Sequence, residues 1–202
     1  MLILAADTSL PILSVALVRD GALVGAMAME GKGSRNEKLL PAIDWLLTEN
    51  AIDRRTIDLL AVTRGPGSFT GVRIGLATMQ GLALALGRPV CAMSTHEAIA
   101  WSEEGRVSIV DDAGRGEFYV SQFDVVELVA PHLVPTLAEA GRVIRVAEFL
   151  ERDNVALRCA RRALEIETRG EGDRYRDVTP IYVRLAEADV KLNEKRNEQA
   201  KA

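Results

Sequence analysis

Several short stretches of this 202-residue chain bring together residue types able to do chemistry. Residues 64–76 read RGPGSFTGVRIGL, so Gly65, Pro66, Gly67, Ser68, Phe69, Thr70 and Gly71 stand directly before an apolar run. A glycine-rich turn that opens a helix exposes backbone N–H groups and is able to hold an anion. The spacing here is GxGxxxG, which is neither the Walker GxxxxGK[ST] nor the dinucleotide GxGxxG, so a structural turn between strand and helix is the favoured reading. Asp7, Thr8 and Ser9 fall between two apolar runs, where a carboxylate and hydroxyls could face a nucleotide-bound metal or a phosphate. Asp and Ser are equally ordinary turn residues.

Asp111 and Asp112, with Arg115 and Glu117 close behind, offer paired carboxylates for a metal or for acid–base work, against the plainer reading of a solvated hairpin end. Ser94 and His96 suggest a hydrolase, yet Ser94 and Glu97 have the spacing of a helix cap, and PGSFT around Ser68 lacks the GxSxG elbow. Cys91 and Cys159 have no CxxC companion, and His96 and His132 form no HxxxH pair. A protein-only metal centre is therefore not expected, and the cysteines read as buried small hydrophobes.

The elements that must position these residues follow from periodicity. Leu2–Ala6, Ile12–Val18 and Ala22–Met29 are apolar runs separated by Asp7–Pro11 and by Arg19-Asp20-Gly21, which predicts an antiparallel meander. Ser34 and Glu37 space as a capping box before a stripe of Leu39, Leu40, Ile43, Leu46 and Leu47, with Pro41 near the start of that helix. A strand at Ile57–Thr63 leads into the glycine loop. The helix that follows, Val72–Leu86, is apolar nearly all round, and its Ala77, Gly81 and Ala85 recur every fourth residue. Glycine in a helix costs about 1 kcal/mol relative to alanine, so this repeat points to close packing against another backbone.

Val90–Met93 is a strand, Ser94 caps a helix, and a second strand set follows at Val107–Val110, Glu117–Phe123 and Val125–Val129. Helices are expected at Leu137–Ala140 and Val155–Glu167, a short strand at Pro180–Arg184, and a disordered polar tail at residues 187–202.

Composition bounds what such a chain does. Hydrophobic and charged shares of 48% and 27% are globular, while only 4% of residues are aromatic, so aliphatic side chains fill the core and base stacking is not the main activity. A net charge of -4 excludes holding nucleic acid through phosphate neutralisation alone. The opening LILAADTS is neither basic nor a long apolar segment, which gives the expectation of a cytoplasmic protein without a membrane span.

ADTS, LLPAIDWLL, AVTRGPGSFTGVRIGLATMQGLALAL, MSTHEAIA, DAGRGEFYV and PIYVR together resemble the TsaB (YeaZ) family, chiefly over Met1 to about Val120. The resemblance implies an α/β, two-lobed actin-like ATPase fold of the sugar kinase and heat-shock ATPase superfamily. Its first lobe would be residues 1–104, a shortened second lobe 105–186, and the tail 187–202. It further implies a non-catalytic subunit in the synthesis of threonylcarbamoyladenosine beside the anticodon of ANN-decoding tRNAs. The partners would be TsaD, the catalytic paralogue, and the ATPase TsaE, acting after TsaC, with tRNA reached through the complex and self-association when alone.

On this reading ATP and metal belong to the partners and this chain holds no cofactor. TsaD-like catalysts carry a histidine pair on the first helix, where this chain has Glu37 and no histidine. The partner interface would be the helix pair, through Leu39, Leu40, Ile43, Leu46, Leu47, Arg73, Ile74, Ala77, Thr78, Gly81 and Ala85, with Asp7, Thr8 and Ser9 as a vestige of a nucleotide site. The alternatives are an ATP-dependent phosphotransferase of the same fold and a peptidase acting on TsaD.

Overall fold

A computed structural model describes residues 1–30, 35–124, 126–135 and 142–183. Its first sheet is built around β1 (Leu2–Asp7), six residues that are all buried. β1 pairs antiparallel with β2 (Ile12–Arg19), which pairs antiparallel with β3 (Ala22–Glu30). On its other side β1 pairs in parallel with β4 (Leu59–Thr63), and β4 with β5 (Val90–Met93). The order is therefore β3-β2-β1-β4-β5. A central strand covered on both faces must be apolar throughout, and LILAAD meets that requirement.

The period-2 alternation of β1 divides the core in two. Leu2, Leu4 and Ala6 face helices α1 (Arg35–Glu49) and α2 (Phe69–Leu86). Ile3 and Ala5 face the opposite side, which is covered by α3 (Thr95–Ala100) and by α5 (Val155–Thr168). α5 lays Ala156, Cys159, Ala160 and Ala163 against the sheet, and these small side chains let it come close. Its first turn is pinned there by Ala156 N–H donating to Ser14 Oγ (3.1 Å) and by its cap Asn154, whose Nδ2 donates to the Met27 carbonyl (3.2 Å).

The second sheet has the same plan. β6 (Val107–Gly114), β7 (Glu117–Asp124) and β8 (Val126–Val134) form an antiparallel meander, and β9 (Arg142–Arg145), which leads into α4 (Val146–Leu150), pairs in parallel with β6. Val107, Ile109, Phe123 and Ile144 join the α5 side of the first sheet in one continuous core. Two mixed sheets flanked by helices make this an α/β fold.

Several elements depart from their expected places, among them β6, which runs on to Gly114, and β8, which runs on to Val134. α2 begins at Phe69 because Ser68 caps it, its Oγ accepting from Gly71 N–H (3.2 Å). Arg54–Thr56 close a 3-10 turn capped by Asp53, which delays β4 to Leu59. The strand expected at Pro180–Arg184 is not formed over residues 180–183; a single backbone bond, Ile181 N–H to the Arg64 carbonyl (2.7 Å), holds the segment in place. Ser34 of the capping box, the helix expected at Leu137–Ala140 and the tail 187–202 lie outside the described residues.

The glycines divide by surroundings. At Gly67, where φ is +148°, a methyl group would run into the Ser9 carbonyl, whereas at Gly81 nothing lies within 4 Å of one. Gly67→Ala is expected to lower stability by about 2–4 kcal/mol. Gly81→Ala in the exposed helix interior should raise it by about 1 kcal/mol. Urea unfolding of the two variants checks both signs.

Candidate functional site

The turn after β1 is closed on itself and onto its neighbours. Asp7 is fully buried; its Oδ1 accepts from Ser9 Oγ (2.6 Å), from Ser9 N–H (3.3 Å) and from Thr63 Oγ1, the Leu10 backbone also acts on its carboxylate, and among the described residues its Oδ2 has no geometric hydrogen-bond partner. Ser9 Oγ also meets Thr95 Oγ1 at 2.9 Å, and Thr8 Oγ1 donates to the Gly71 carbonyl (2.6 Å). Burial raises the Asp7 pKa, opposed by the hydrogen bonds from Ser9 and Thr63.

Two N–H donors of the glycine loop, and one of its carbonyls, are spent within the chain. Ser68 N–H is taken by the Ser9 carbonyl (2.7 Å), Gly71 N–H by Ser68 Oγ, and the Gly65 carbonyl accepts from Thr95 N–H (2.8 Å). Its glycines make room for the Ser9 backbone and for the Ile181 carbonyl, which leaves Gly65, Pro66, Gly67, Ser68, Phe69, Thr70 and Gly71 as a packing turn.

The other candidates separate as well. Ser94 Oγ accepts from Glu97 N–H (2.9 Å) as a helix cap, and the fully buried His96 turns its Nδ1 to Ser121 Oγ (2.6 Å), so the Ser94–His96 pairing is not made. Burial holds His96 down to about 3, and among the described residues its Nε2 has no partner. Asp112 accepts from Gly114 N–H (2.7 Å) at the hairpin, while Asp111 is pushed up to about 6 by burial, with the charges of Asp112 and Asp7 adding. Cys91 and Cys159 are buried free thiols. Among the described residues no three His, Cys, Asp or Glu side chains converge as metal ligands.

The helix pair corrects half of the expected interface. Leu39, Ile43, Leu46 and Leu47 are buried against their own sheet, with Leu47 the most accessible at 4%, so they cannot meet a partner directly. The apolar stripe of an amphipathic helix is spent first on the nearest sheet. Leu40 lies outside that stripe, 46% exposed, with Trp45 at 51%. On α2, Gly71, Val72, Gly75, Leu76, Met79 and Ala83 face the sheet, while Arg73, Ala77, Gly81 and Ala85 are exposed and Ile74 and Thr78 half-buried. Leu84, 86% exposed, extends the same face. The sequence reading missed it, although it stands three residues beyond Gly81 and seven beyond Ala77, which is helical spacing.

A further feature had no signal in the sequence. A cleft of about 770 Å³ is lined by residues that include Met93, Trp101, Phe123, Glu97, Arg162 and Tyr175. Glu97 Oε1 accepts from Arg162 Nε (3.1 Å), from Arg162 Nη2 (3.0 Å) and from Tyr175 OH (2.8 Å). These partners come from α3, α5 and the turn after α5, so only the tertiary fold brings them together.

The chain matches the family model described as TsaD: tRNA N6-adenosine threonylcarbamoyltransferase over residues 33–171. It is 30% identical over 154 residues to the tRNA threonylcarbamoyladenosine biosynthesis protein TsaB of Bacillus subtilis (strain 168), covering 75% of this chain and 65% of that one. With the protein of the same name from Escherichia coli (strain K12) it shares 38% over 128 residues, 61% and 55% of the two chains. It thus spans between half and two thirds of the length of the curated relatives it matches most strongly. Among solved structures, an uncharacterized protein with similarity to peptidase YEAZ from Pseudomonas aeruginosa superposes with a TM-score of 0.73 at 28% identity, over 91% of this chain and 99% of that one. YeaZ from Pseudomonas aeruginosa gives 0.70 at 29%, over 90% and 99%.

Two buried titratable groups, His96 and Asp7, act on stability with opposite signs. His96 takes a proton near its ordinary 6.5 in the unfolded chain but only near 3 when folded, so its contribution is present above pH 6.5 and lost as pH falls toward 3. The raised pKa of Asp7 makes the folded chain the better proton binder above 3.8, so its contribution is lost as pH rises through the folded value. Urea midpoints should therefore fall less steeply between pH 6.5 and 4 in His96→Gln than in the parent. Asp7→Asn should raise the midpoint more at pH 8 than at pH 4.

Proposed function

This chain belongs to the TsaB (YeaZ) family, and we propose that it is a non-catalytic docking subunit for the synthesis of tRNA N6-threonylcarbamoyladenosine in the cytoplasm. In this reading it binds and activates the catalytic paralogue TsaD together with TsaE, and reaches tRNA through them. The docking helices lie within residues 1–104; β6 to β9 build the second sheet, and α5 packs back on the first.

The observation that carries the reading is the state of α2. This helix is 18 residues long and apolar enough, with a mean hydropathy of 1.3, to pass for a membrane span by length and composition, yet its own fold buries only 33% of it. The remainder presents Ala77, Gly81, Leu84 and Ala85 along one side, with open space over Gly81. Small residues in such a line allow another helix to approach closely, and apolar surface left uncovered marks an interaction site. The groups able to do chemistry are turned inward: Asp7, Ser9, Thr63 and Thr95 bond to one another, and His96 bonds to Ser121.

The Oδ2 of Asp7, without a hydrogen-bond partner among the described residues, is the one feature that favours the second reading, an ATP-dependent phosphotransferase. Calorimetry with Mg-ATP separates the two, because the docking reading expects millimolar affinity or none. Reconstitution of tRNA modification from TsaC, TsaD and TsaE is expected to need this chain, and full activity in its absence would refute the role. Gly81→Arg should fold normally, since nothing lies near its Cβ, and should abolish binding to TsaD in gel filtration. Unchanged co-elution would remove α2 from the interface.

A further inference from the structure

α2 contains one charged side chain, Arg73, in eighteen residues, and that side chain is held with unusual completeness. Its guanidinium carbon lies 3.8 Å from the centroid of the Phe69 ring, one helical turn away, and 5.6 Å from that of Tyr182. Its Nε donates to Tyr182 OH (2.7 Å), and the rings of Phe69 and Tyr182 are 4.8 Å apart.

Tyr182 is brought there by the chain that follows α5 and its 3-10 turn, Gly172–Tyr175. Arg176 Nη1 donates to the Val90 carbonyl (3.0 Å), and Arg64 Nη1 donates to Asp177 (3.0 Å) and to the Thr179 carbonyl (3.2 Å). Ile181 N–H then bonds the Arg64 carbonyl, which leaves the next residue, Tyr182, over the first turn of α2.

The contact of its guanidinium carbon with the Phe69 ring and the Nε bond to Tyr182 hold the guanidinium at two points. Among the described residues Nη1 and Nη2 have no partner, and Arg73 is exposed. Two terminal nitrogens of one locked guanidinium are the complement of a carboxylate, which they engage bidentately. Any helix that covers Ala77 and Gly81 also shuts Arg73 away from water, because Ala77 is one turn further along the same face. A charge desolvated in this way must be paired.

We propose that Arg73 is a preset receptor for one carboxylate of the subunit that docks on α2, and that Tyr182 is the positioning residue that aims it. The inference rests on the docking reading and narrows it: the partner's helix brings an Asp or Glu against the first two turns of α2. Preorganisation by Phe69 and Tyr182 removes ordering cost from binding, and an arginine of this kind is a typical energetic centre of an interface.

The test is the affinity of the full-length chain for TsaD, by calorimetry at two salt concentrations, for the parent and four variants. Arg73→Lys keeps the charge but loses the planar fork and should bind about tenfold more weakly. Tyr182→Phe keeps the ring but frees Nε and should lose a few-fold. Arg73→Ala should lose about a hundredfold and most of the salt dependence, a readout that a merely structural role would not move. Parent-like affinity for Arg73→Lys and Tyr182→Phe, alongside lost binding for Gly81→Arg, overturns the proposal and leaves the docking face standing. Parent-like affinity for Gly81→Arg overturns both.

Binding lost in Arg73→Glu should return when a single acidic residue on the TsaD docking helix is replaced by lysine, independently of any change in folding. Failure of every single replacement to restore it also counts against the assignment.

Discussion

The hydrogen bond from Ser68 N–H to the Ser9 carbonyl, 2.7 Å long, sets the position of everything that follows β4. β1 and β4 run in parallel and release the chain at the same end of the sheet, so their two turns meet face to face. They fit only because Gly67 has no Cβ to place against the Ser9 carbonyl, and Gly75 none to place against the Thr8 hydroxyl. Thr8 Oγ1 then ties the first turn to Gly71 within α2. The direction of α2, and with it the exposed line from Arg73 to Ala85, is fixed by backbone contacts rather than by long side chains able to adjust.

The same contact explains why a loop with the look of a phosphate cradle is not built as one. An anion site at a helix start needs free N–H groups. Here two of the donors, Ser68 N–H and Gly71 N–H, are taken within the chain, and the hydroxyls of Ser9 and Thr95 link the turn onward to α3. Among the described residues the Oδ2 of the buried Asp7 carboxylate has no hydrogen-bond partner, so the charged group opposes folding at neutral pH unless it gains a partner or a proton. At this end of the molecule Asp7, Ser9, Thr63 and Thr95 are buried and bond to one another, while Ala77, Gly81, Leu84 and Ala85 of α2 stay exposed.

Periodicity made the first half of the fold legible. The meander of β1, β2 and β3, the two helices of one face and the cap at Ser94 all follow from local patterns. The interface was half legible, because a stripe such as Leu39, Ile43, Leu46 and Leu47 looks the same whether it covers its own sheet or another chain. Which of two apolar faces stays open is decided by tertiary packing, and on α2 it is the small-residue side. β9 was missed, since four residues, RVIR, carry no readable alternation. Tyr182 and the Glu97–Arg162–Tyr175 cluster were missed because their partners lie 65 or more residues away in the chain.

The route of α5 has a mechanical consequence. It is drawn from the part of the chain that builds the second sheet, yet it lies flat on β1, β2 and β4 of the first, and Ile109 and Phe123 share its core. A clamshell that opens and shuts over a nucleotide needs a gap between its halves and few apolar contacts across the pivot. Here a close-packed helix rivets the halves together, so opening them would expose much of that core to water. The molecule is suited to move as one rigid body, so the exposed side of α2 keeps a fixed direction relative to both sheets.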